Sequence, residues 1–116
     1  MNNRRSLIIG IKSTKLSLRE KNFLKKYKPW GVILFTRNIK DIKQTKQLTA
    51  SIRKLFNDNK YPILIDQEGG RVNRLKNIIS FDNLTSEFFG KKFIKKPKEF
   101  NFFYKLFIDK TSYLLK

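Results

Sequence analysis

Residues 63–74, Ile-Leu-Ile-Asp-Gln-Glu-Gly-Gly-Arg-Val-Asn-Arg, combine a short apolar run with a dense group of polar side chains. The apolar run follows Pro62 and is rich in β-branched residues, which is typical of a buried strand in a parallel sheet. In α/β folds, the loops at the carboxyl ends of such strands converge on the ligand site. The stretch therefore predicts an α/β protein with a binding site where this strand ends.

The polar part of the stretch has the composition of a loop that binds polyols or carboxylates. Asp66 and Glu68 are two residues apart, so both point the same way from an extended backbone. The pair Gly69-Gly70 lets the backbone approach a ligand closely, and Arg71 and Arg74 supply planar donors. Other roles stay open, because Asp66 could instead cap the loop by accepting backbone donors and Arg71 could be a structural partner of Glu68.

The segments before this stretch predict a β-α-β-α-β order. Capping signals at Ser17 with Glu20 and at Asp41 with Gln44 start two helices. Short links between alternating elements require a parallel sheet with right-handed crossovers and, here, helices on one face. The predicted strands are about Ser6–Ile11, Gly31–Phe35 and Ile63–Ile65.

The segment after the stretch predicts less regular structure and then a long helix. Residues from Asn77 to Gly90 look irregular, with a short helical turn around Thr85 to Phe89. From Lys98 to the end, apolar residues recur at helical spacing over about five turns. The members of this stripe are Phe100, Phe103, Tyr104, Phe107, Ile108, Thr111, Leu114 and Leu115.

Composition limits the classes of function. The chain has 116 residues, 27 Lys and Arg against 9 Asp and Glu, and therefore a net charge of +18. It has no cysteine, which excludes disulfides and thiolate chemistry, and no histidine, which removes the commonest acid/base group near neutral pH. The lysines are scattered in pairs rather than gathered in a tract, so the charge indicates a solvated surface more than a nucleic-acid site.

Two motifs at a fixed separation resemble a known family. The first is Gly-Val-Ile-Leu-Phe-Thr-Arg-Asn at residues 31–38, and the second is residues 62–72 followed by Arg74-Leu75. Together they closely resemble the N-terminal part of glycoside hydrolase family 3, in its bacterial β-N-acetylhexosaminidase branch. The family uses a (β/α)8 barrel, which needs roughly 250 residues. The resemblance therefore implies an incomplete TIM barrel, with residues 1–116 as its first three βα units and a truncation before the fourth strand.

An incomplete barrel would leave two sheet edges open and one apolar face bare. We expect that face to be the one that lines the interior of a closed barrel. Its side chains would be Leu7, Ile9, Ile33 and Ile63, or their alternates along each strand.

The resemblance also implies an activity and a division of roles. Members of this family are retaining glycosidases, in which a carboxylate attacks the anomeric carbon and water then releases the sugar. In the hexosaminidase branch, the nucleophilic Asp and the acid/base His belong to later parts of the barrel, so we expect no catalytic residue in this chain. Asp66 and Arg74 correspond to substrate-binding positions, and we expect them to lie side by side in one open pocket at the carboxyl ends of the strands. Glu68, Gly69, Gly70 and Arg71 are expected to hold the loop.

Other residues near these motifs are open to two interpretations. Arg37 and Asn38 match the family pattern, but could equally be hydrogen-bonding groups at the barrel rim. Asp66 and Glu68 are not the two glycosidase carboxylates, because both rise from one strand whereas retaining chemistry needs groups on opposite faces of the sugar. We expect no cofactor and no metal.

The implied substrate is a glycan or muropeptide that contains N-acetylglucosamine, processed in the cytoplasm during peptidoglycan recycling. We expect neither nucleic acid nor membrane as a partner, and expect either self-association or pairing with a complementary barrel fragment. Two alternatives remain at this stage. One is a non-catalytic, sugar-binding remnant, and the other is a basic module associated with nucleic acid.

Overall fold

A computed structural model describes residues 3–116. The described part of the chain has two compact units. The first contains a three-stranded parallel sheet and two helices, and the second contains two further helices. The first unit comprises residues up to Glu68 together with Val72–Ser80, and the second comprises Gly69–Arg71 and Phe81–Lys116. The elements are β1 (Arg5–Gly10), α1 (Leu18–Tyr27), β2 (Pro29–Leu34), α2 (Ile42–Phe56), β3 (Ile63–Ile65), α3 (Ser86–Lys95) and α4 (Pro97–Leu115), with a single 3₁₀ turn at Thr36–Asn38.

The sheet of the first unit has the order β1-β2-β3, and both pairs of strands are parallel. The predicted bounds of β3 are confirmed, whereas β1 and β2 each begin earlier than predicted and end one residue earlier. Pro29 was expected to precede β2, but it is the first residue of that strand. Proline lacks the N–H that an interior position of a strand donates, but the first residue of a strand tolerates this loss. The Pro29 carbonyl accepts a hydrogen bond from the Tyr61 hydroxyl at 2.9 Å.

The core of the first unit lies between the sheet and the helices α1 and α2. One row of sheet side chains packs there, because side chains alternate along each strand and the register aligns Ile9, Val32 and Ile63 across the three strands. The helices contribute Leu24 and one face of α2. The buried members of this core are Ile11, Leu16, Leu24, Val32, Leu34, Leu48, Ile52 and Tyr61.

The face of the sheet opposite the helices carries a different row of side chains from the one that the sequence predicts. Ile33 pairs with Leu64 and Gly10, so it lies on the other face from Ile9 and Ile63. The grouping of Ile33 with Ile9 and Ile63 was therefore wrong. The registers of β2 with β1 and with β3 decide this, because a shift of one residue exchanges the two faces of a strand.

The second unit is a pair of helices around an aromatic cluster. Phe89 is 8% exposed and its ring centroid lies 5.2 Å from that of Tyr104 and 5.4 Å from that of Phe107. The predicted turn around residues 85–89 is the start of the longer helix α3, which continues through Gly90. None of the side chains of α4 is buried, although Phe107 and three others of the predicted stripe are partly covered. The helices of residues 3–116 are all too short or too polar to cross a membrane.

Candidate functional site

Four side chains meet at the carboxyl ends of β2 and β3. Phe35 is two residues beyond Ile33 and Asp66 is two residues beyond Leu64, so alternation along the strands places both on the face opposite the helices. Arg74 reaches both of them, since its guanidinium contacts the Asp66 carboxylate and lies over the Phe35 ring. Arg37 lies over the same ring.

The pair of Asp66 and Arg74 is the charged centre of this group. Arg74 donates two hydrogen bonds to Asp66, one from Nε to the backbone carbonyl and one from Nη2 to Oδ2, each 3.1 Å long. The side chains of Asp66 and Arg74 are 42% and 27% exposed, so a ligand can reach both. The expected proximity of these two residues is therefore present. Their expected position in one open pocket stays a prediction.

A network of amides holds the loop that carries Arg74. Asn73 is 5% exposed, and its side chain donates to the Ile79 carbonyl at 2.8 Å while it accepts from the Leu75 N–H at 3.0 Å. Gln67 donates to the same Asn73 oxygen and accepts from the Arg74 N–H at 2.9 Å. These bonds determine where the Arg74 backbone lies relative to β3.

Both glycines of the central motif have a positive φ, a backbone conformation that favours glycine. Gly69 has a φ of +88° and Gly70 a φ of +54°. Within the second unit, a Cβ on Gly70 would lie 3.2 Å from Cγ2 of Thr85. Glu68 and Arg71 are both exposed, and their expected roles in holding the loop stay predictions.

Arg37 and Asn38 act mainly as hydrogen-bonding groups at the end of the sheet. Asn38 is fully buried, and its side-chain amide donates to the carbonyls of Ile11 and Ser13 at 3.1 and 3.0 Å. Arg37 donates from Nε to the same Ile11 carbonyl at 3.0 Å. Asn38 is therefore a hydrogen-bonding group at the end of the sheet, which was one of its two interpretations. Arg37 combines that role with its contact to Phe35.

The residues that sequence reasoning missed are Phe35, Gln67 and Asn73. Each lies inside one of the two motifs quoted above, but the sequence pattern assigned it no role. Asn73 could have been found from its spacing, because an Asn two residues before Leu75 can accept that residue's N–H in an Asx turn, as it does here. Phe35 carried no such local signal. No group of three His, Cys, Asp or Glu side chains among residues 3–116 could hold a metal ion.

Another polar region lies at the amino ends of the strands. A cavity there is lined by two cations on or after the last turn of α1, Lys25 and Lys28, and by Leu55 and Phe56 at the end of α2. Lysines at helix carboxyl ends are favourable because they face the negative ends of the helix dipoles. Helix stability therefore accounts for the two lysines of this cavity, which is also lined by Asn3 and Arg4.

Comparison with known families gives a match across the site. The model described as the glycosyl hydrolase family 3 N-terminal domain matches residues 6–84, which is more than half of the chain and includes Asp66 and Arg74.

Individual relatives agree with this match. A beta-hexosaminidase of Xanthomonas oryzae pv. oryzae is 37% identical over 95 residues, covering 79% of this chain and 27% of the relative. A beta-hexosaminidase of Psychromonas ingrahamii is 40% identical over 72 residues, covering 62% and 21%. Among solved structures, NagZ from Neisseria gonorrhoeae in complex with N-trifluoroacetyl-D-glucosamine is similar with a TM-score of 0.56 and 38% identity, covering 66% of this chain and 22% of that one. The chain spans about a quarter of the length of these relatives.

Proposed function

The chain belongs to glycosyl hydrolase family 3 through its N-terminal domain, and we propose that it forms part of the N-acetylglucosamine site of a β-N-acetylhexosaminidase-like glycosidase. The observation that carries the proposal is the contact of Asp66 with Arg74 at the carboxyl ends of the strands. Support comes from the relatives, which are named beta-hexosaminidases, and from the neighbouring structure that holds an N-acylglucosamine analogue.

The geometry suits a sugar hydroxyl. Arg74 occupies Oδ2 of Asp66, which leaves Oδ1 to accept a hydrogen bond from a ligand. Two of the five guanidinium N–H groups of Arg74 are used on Asp66, so donors remain for a hydroxyl or carbonyl oxygen. Hydrogen bonds to charged groups are stronger than neutral ones, so this pair would supply a large share of the affinity.

The wider assignment follows from the family resemblance. We propose that the three parallel strands are the first units of a (β/α)8 barrel, that residues 1–116 are one partial barrel domain, and that the nucleophilic Asp and acid/base His of a retaining mechanism come from outside this chain. Cytoplasmic recycling of muropeptides is the corresponding process. In this proposal the chain binds sugar, while hydrolysis requires the missing groups.

Saturation-transfer NMR with N-acetylglucosamine tests the binding role. We expect the full chain to bind the sugar weakly and Asp66→Asn to weaken binding by about tenfold or more, because a charged hydrogen bond is worth roughly 1.5–3 kcal/mol. Asp109→Asn on exposed α4 makes the same change of charge and is expected to have no effect. Equal binding by the wild type and Asp66→Asn would contradict the proposal. The chain alone should release no chromogen from a β-N-acetylglucosaminide.

A non-catalytic sugar-binding protein is the second candidate. It rests on the same contact of Asp66 with Arg74, because a protein that only binds sugar needs this pair and no catalytic group. Addition of a polypeptide that supplies the later part of the barrel separates the two candidates. Turnover in the mixture supports the glycosidase, and binding with no turnover supports the second candidate.

A further inference from the structure

Phe35 contacts both arginines of the candidate site. Its ring centroid lies 4.6 Å from Cζ of Arg37 and 5.5 Å from Cζ of Arg74. Both distances are within the range of about 6 Å in which the negative face of an aromatic ring attracts a cation. One ring therefore has two guanidinium groups as neighbours.

Phe35 itself is held in place by the turn that follows it. Its N–H donates to Oδ1 of Asn38 at 2.9 Å, and its carbonyl accepts from the Asn38 N–H at 2.8 Å. Asn38 is fully buried and bonded to the end of β1, so the backbone of Phe35 cannot shift without breaking this network. The position from which the ring projects is therefore fixed.

The two arginines differ in what else restrains them. Arg37 is tied by Nε to the Ile11 carbonyl, so its position is set from the end of β1. Arg74 likewise donates from Nε to a backbone carbonyl, that of Asp66, and its Nη2 donates to the Asp66 carboxylate, which is partly exposed. Because the carboxylate can move with its own side chain, the Nη2 end of the guanidinium retains freedom that a second contact reduces.

The space for this arrangement depends on Gly10. A Cβ at Gly10 would lie 3.2 Å from Cε2 of Phe35 and 3.2 Å from Nη2 of Arg37. Those distances are tighter than ordinary van der Waals contact. The absence of a side chain at Gly10 therefore lets the ring and the first guanidinium lie close to the end of β1.

We propose that Phe35 is a positioning residue for Arg74: its ring holds the guanidinium in the orientation that both engages Asp66 and presents the remaining donors to a sugar. The proposal rests on the proposed function for the identity of the ligand. Phe35 acts through Arg74 and does not need to touch the sugar. An aromatic ring is required at this position, and an aliphatic side chain of similar size does not replace it.

Reaction of the full chain with phenylglyoxal, an arginine-selective reagent, tests this without any sugar. Peptide mass spectrometry gives the modification rate of each arginine in the wild type, Phe35→Leu and Phe35→Tyr. We expect Phe35→Leu to raise the rate at Arg74 about two- to fivefold, the factor that corresponds to a cation–π contact at a partly exposed site. Phe35→Tyr keeps the ring and should keep the wild-type rate.

Two other arginines are internal controls. Arg19 is exposed on α1 and should react at one rate in every variant. Arg4 forms an ion pair with Asp58 and lies over the Tyr61 ring, so it stays protected while the first unit is folded. If Phe35→Leu also raises the modification rate at Arg4, the variant has unfolded. The less disruptive Phe35→Met is then compared with the wild type by its modification rate at Arg74.

An unchanged rate at Arg74 in a folded Phe35→Leu or Phe35→Met variant overturns the proposal. So does an increase in Phe35→Tyr as large as that in Phe35→Leu. Because no sugar is present, these outcomes are independent of the binding experiment. A chain in which Phe35 behaves as expected but no sugar binds would reject the proposed function and leave the positioning role intact.

Discussion

Tyr61 connects three parts of the first unit through one side chain. It is 1% exposed, its ring stacks on Phe56 with centroids 3.9 Å apart, and its hydroxyl donates to the Pro29 carbonyl at 2.9 Å. Burial raises the pKa of Tyr61 to about 12, because the phenolate would lose its hydration, and the nearby Arg4 only partly opposes this. The folded chain therefore keeps the phenol protonated over a range in which the unfolded chain does not.

This difference predicts how stability changes at alkaline pH. The folded pKa of Tyr61 lies above the unfolded value of 10.0. Its contribution to the free energy of unfolding is therefore complete below pH 10.0 and is lost as the pH rises towards about 12. Urea denaturation across that range should show a steeper loss of unfolding free energy in the wild type than in Tyr61→Phe. Tyr113→Phe, at a ring that is 77% exposed, should follow the wild type. An equally steep loss in Tyr61→Phe would assign the effect to other groups.

Helix α1 illustrates how a local motif starts an element. The Ser17 hydroxyl accepts from the Glu20 N–H at 3.2 Å, and the Glu20 carboxylate accepts from the Ser17 N–H at 2.9 Å, which completes a capping box. Burial by itself would raise the pKa of Glu20, but the hydrogen bonds from the Lys12 backbone and from Ser17 outweigh it and lower that pKa. The carboxylate also ties the loop after β1 to the helix, through the Lys12 N–H at 2.8 Å.

Removal of this cap should destabilise the first unit. We expect Ser17→Ala to lower the free energy of unfolding by about 1 kcal/mol, the usual effect of losing an N-cap hydroxyl. Ser51→Ala is the matched control, because the Ser51 hydroxyl only donates to the Leu48 carbonyl inside α2 and alanine favours a helix interior. Denaturation followed by circular dichroism gives both values. A loss in Ser51→Ala as large as that in Ser17→Ala would argue against a specific role of the cap.

Many large apolar side chains are exposed among residues 3–116. Helix α4 buries none of its side chains, and large residues such as Phe102, Leu106 and Tyr113 are 66%, 45% and 77% exposed. These three lie on one face of the helix, since they are separated by four and seven residues. Asp109 lies on the same face, three residues after Leu106, so the apolar surface is interrupted. Exposed apolar side chains gathered on one helix face still mark a candidate interface.

We therefore expect the chain to associate, with another copy or with a complementary barrel fragment. Light scattering on the purified chain should give a mass above that of one chain, and added salt should raise it further because the net charge of +18 opposes self-association. The double variant Phe102→Glu with Leu106→Glu should reduce the mass towards that of a monomer. Asn101→Glu adds a carboxylate to the same helix outside that face and should not. A monodisperse wild-type monomer with a sharp cooperative melt would contradict this expectation.

Features whose partners are close in sequence could be predicted from the sequence. The caps of α1 and α2 depend on residues three positions apart, such as Asp41 and the Gln44 N–H at 2.7 Å. The bounds of β3 coincide with a continuous apolar run that polar residues follow at once. The resemblance to glycoside hydrolase family 3 likewise depended on continuous motifs, and the family match bears it out. The proximity of Asp66 and Arg74, eight residues apart across one loop, could be anticipated for the same reason.

Features whose partners are distant in sequence required the tertiary structure. Asn38 bonds to Ile11 across 27 residues, and nothing near Asn38 indicates that its side chain is fully buried. The face on which Ile33 lies depends on the register between strands, which no single strand encodes. The contact of Phe35 with Arg74 has the same origin. Sequence patterns report a residue's own periodicity and its neighbours along the chain, whereas pairing across the sheet brings together side chains that no local pattern relates.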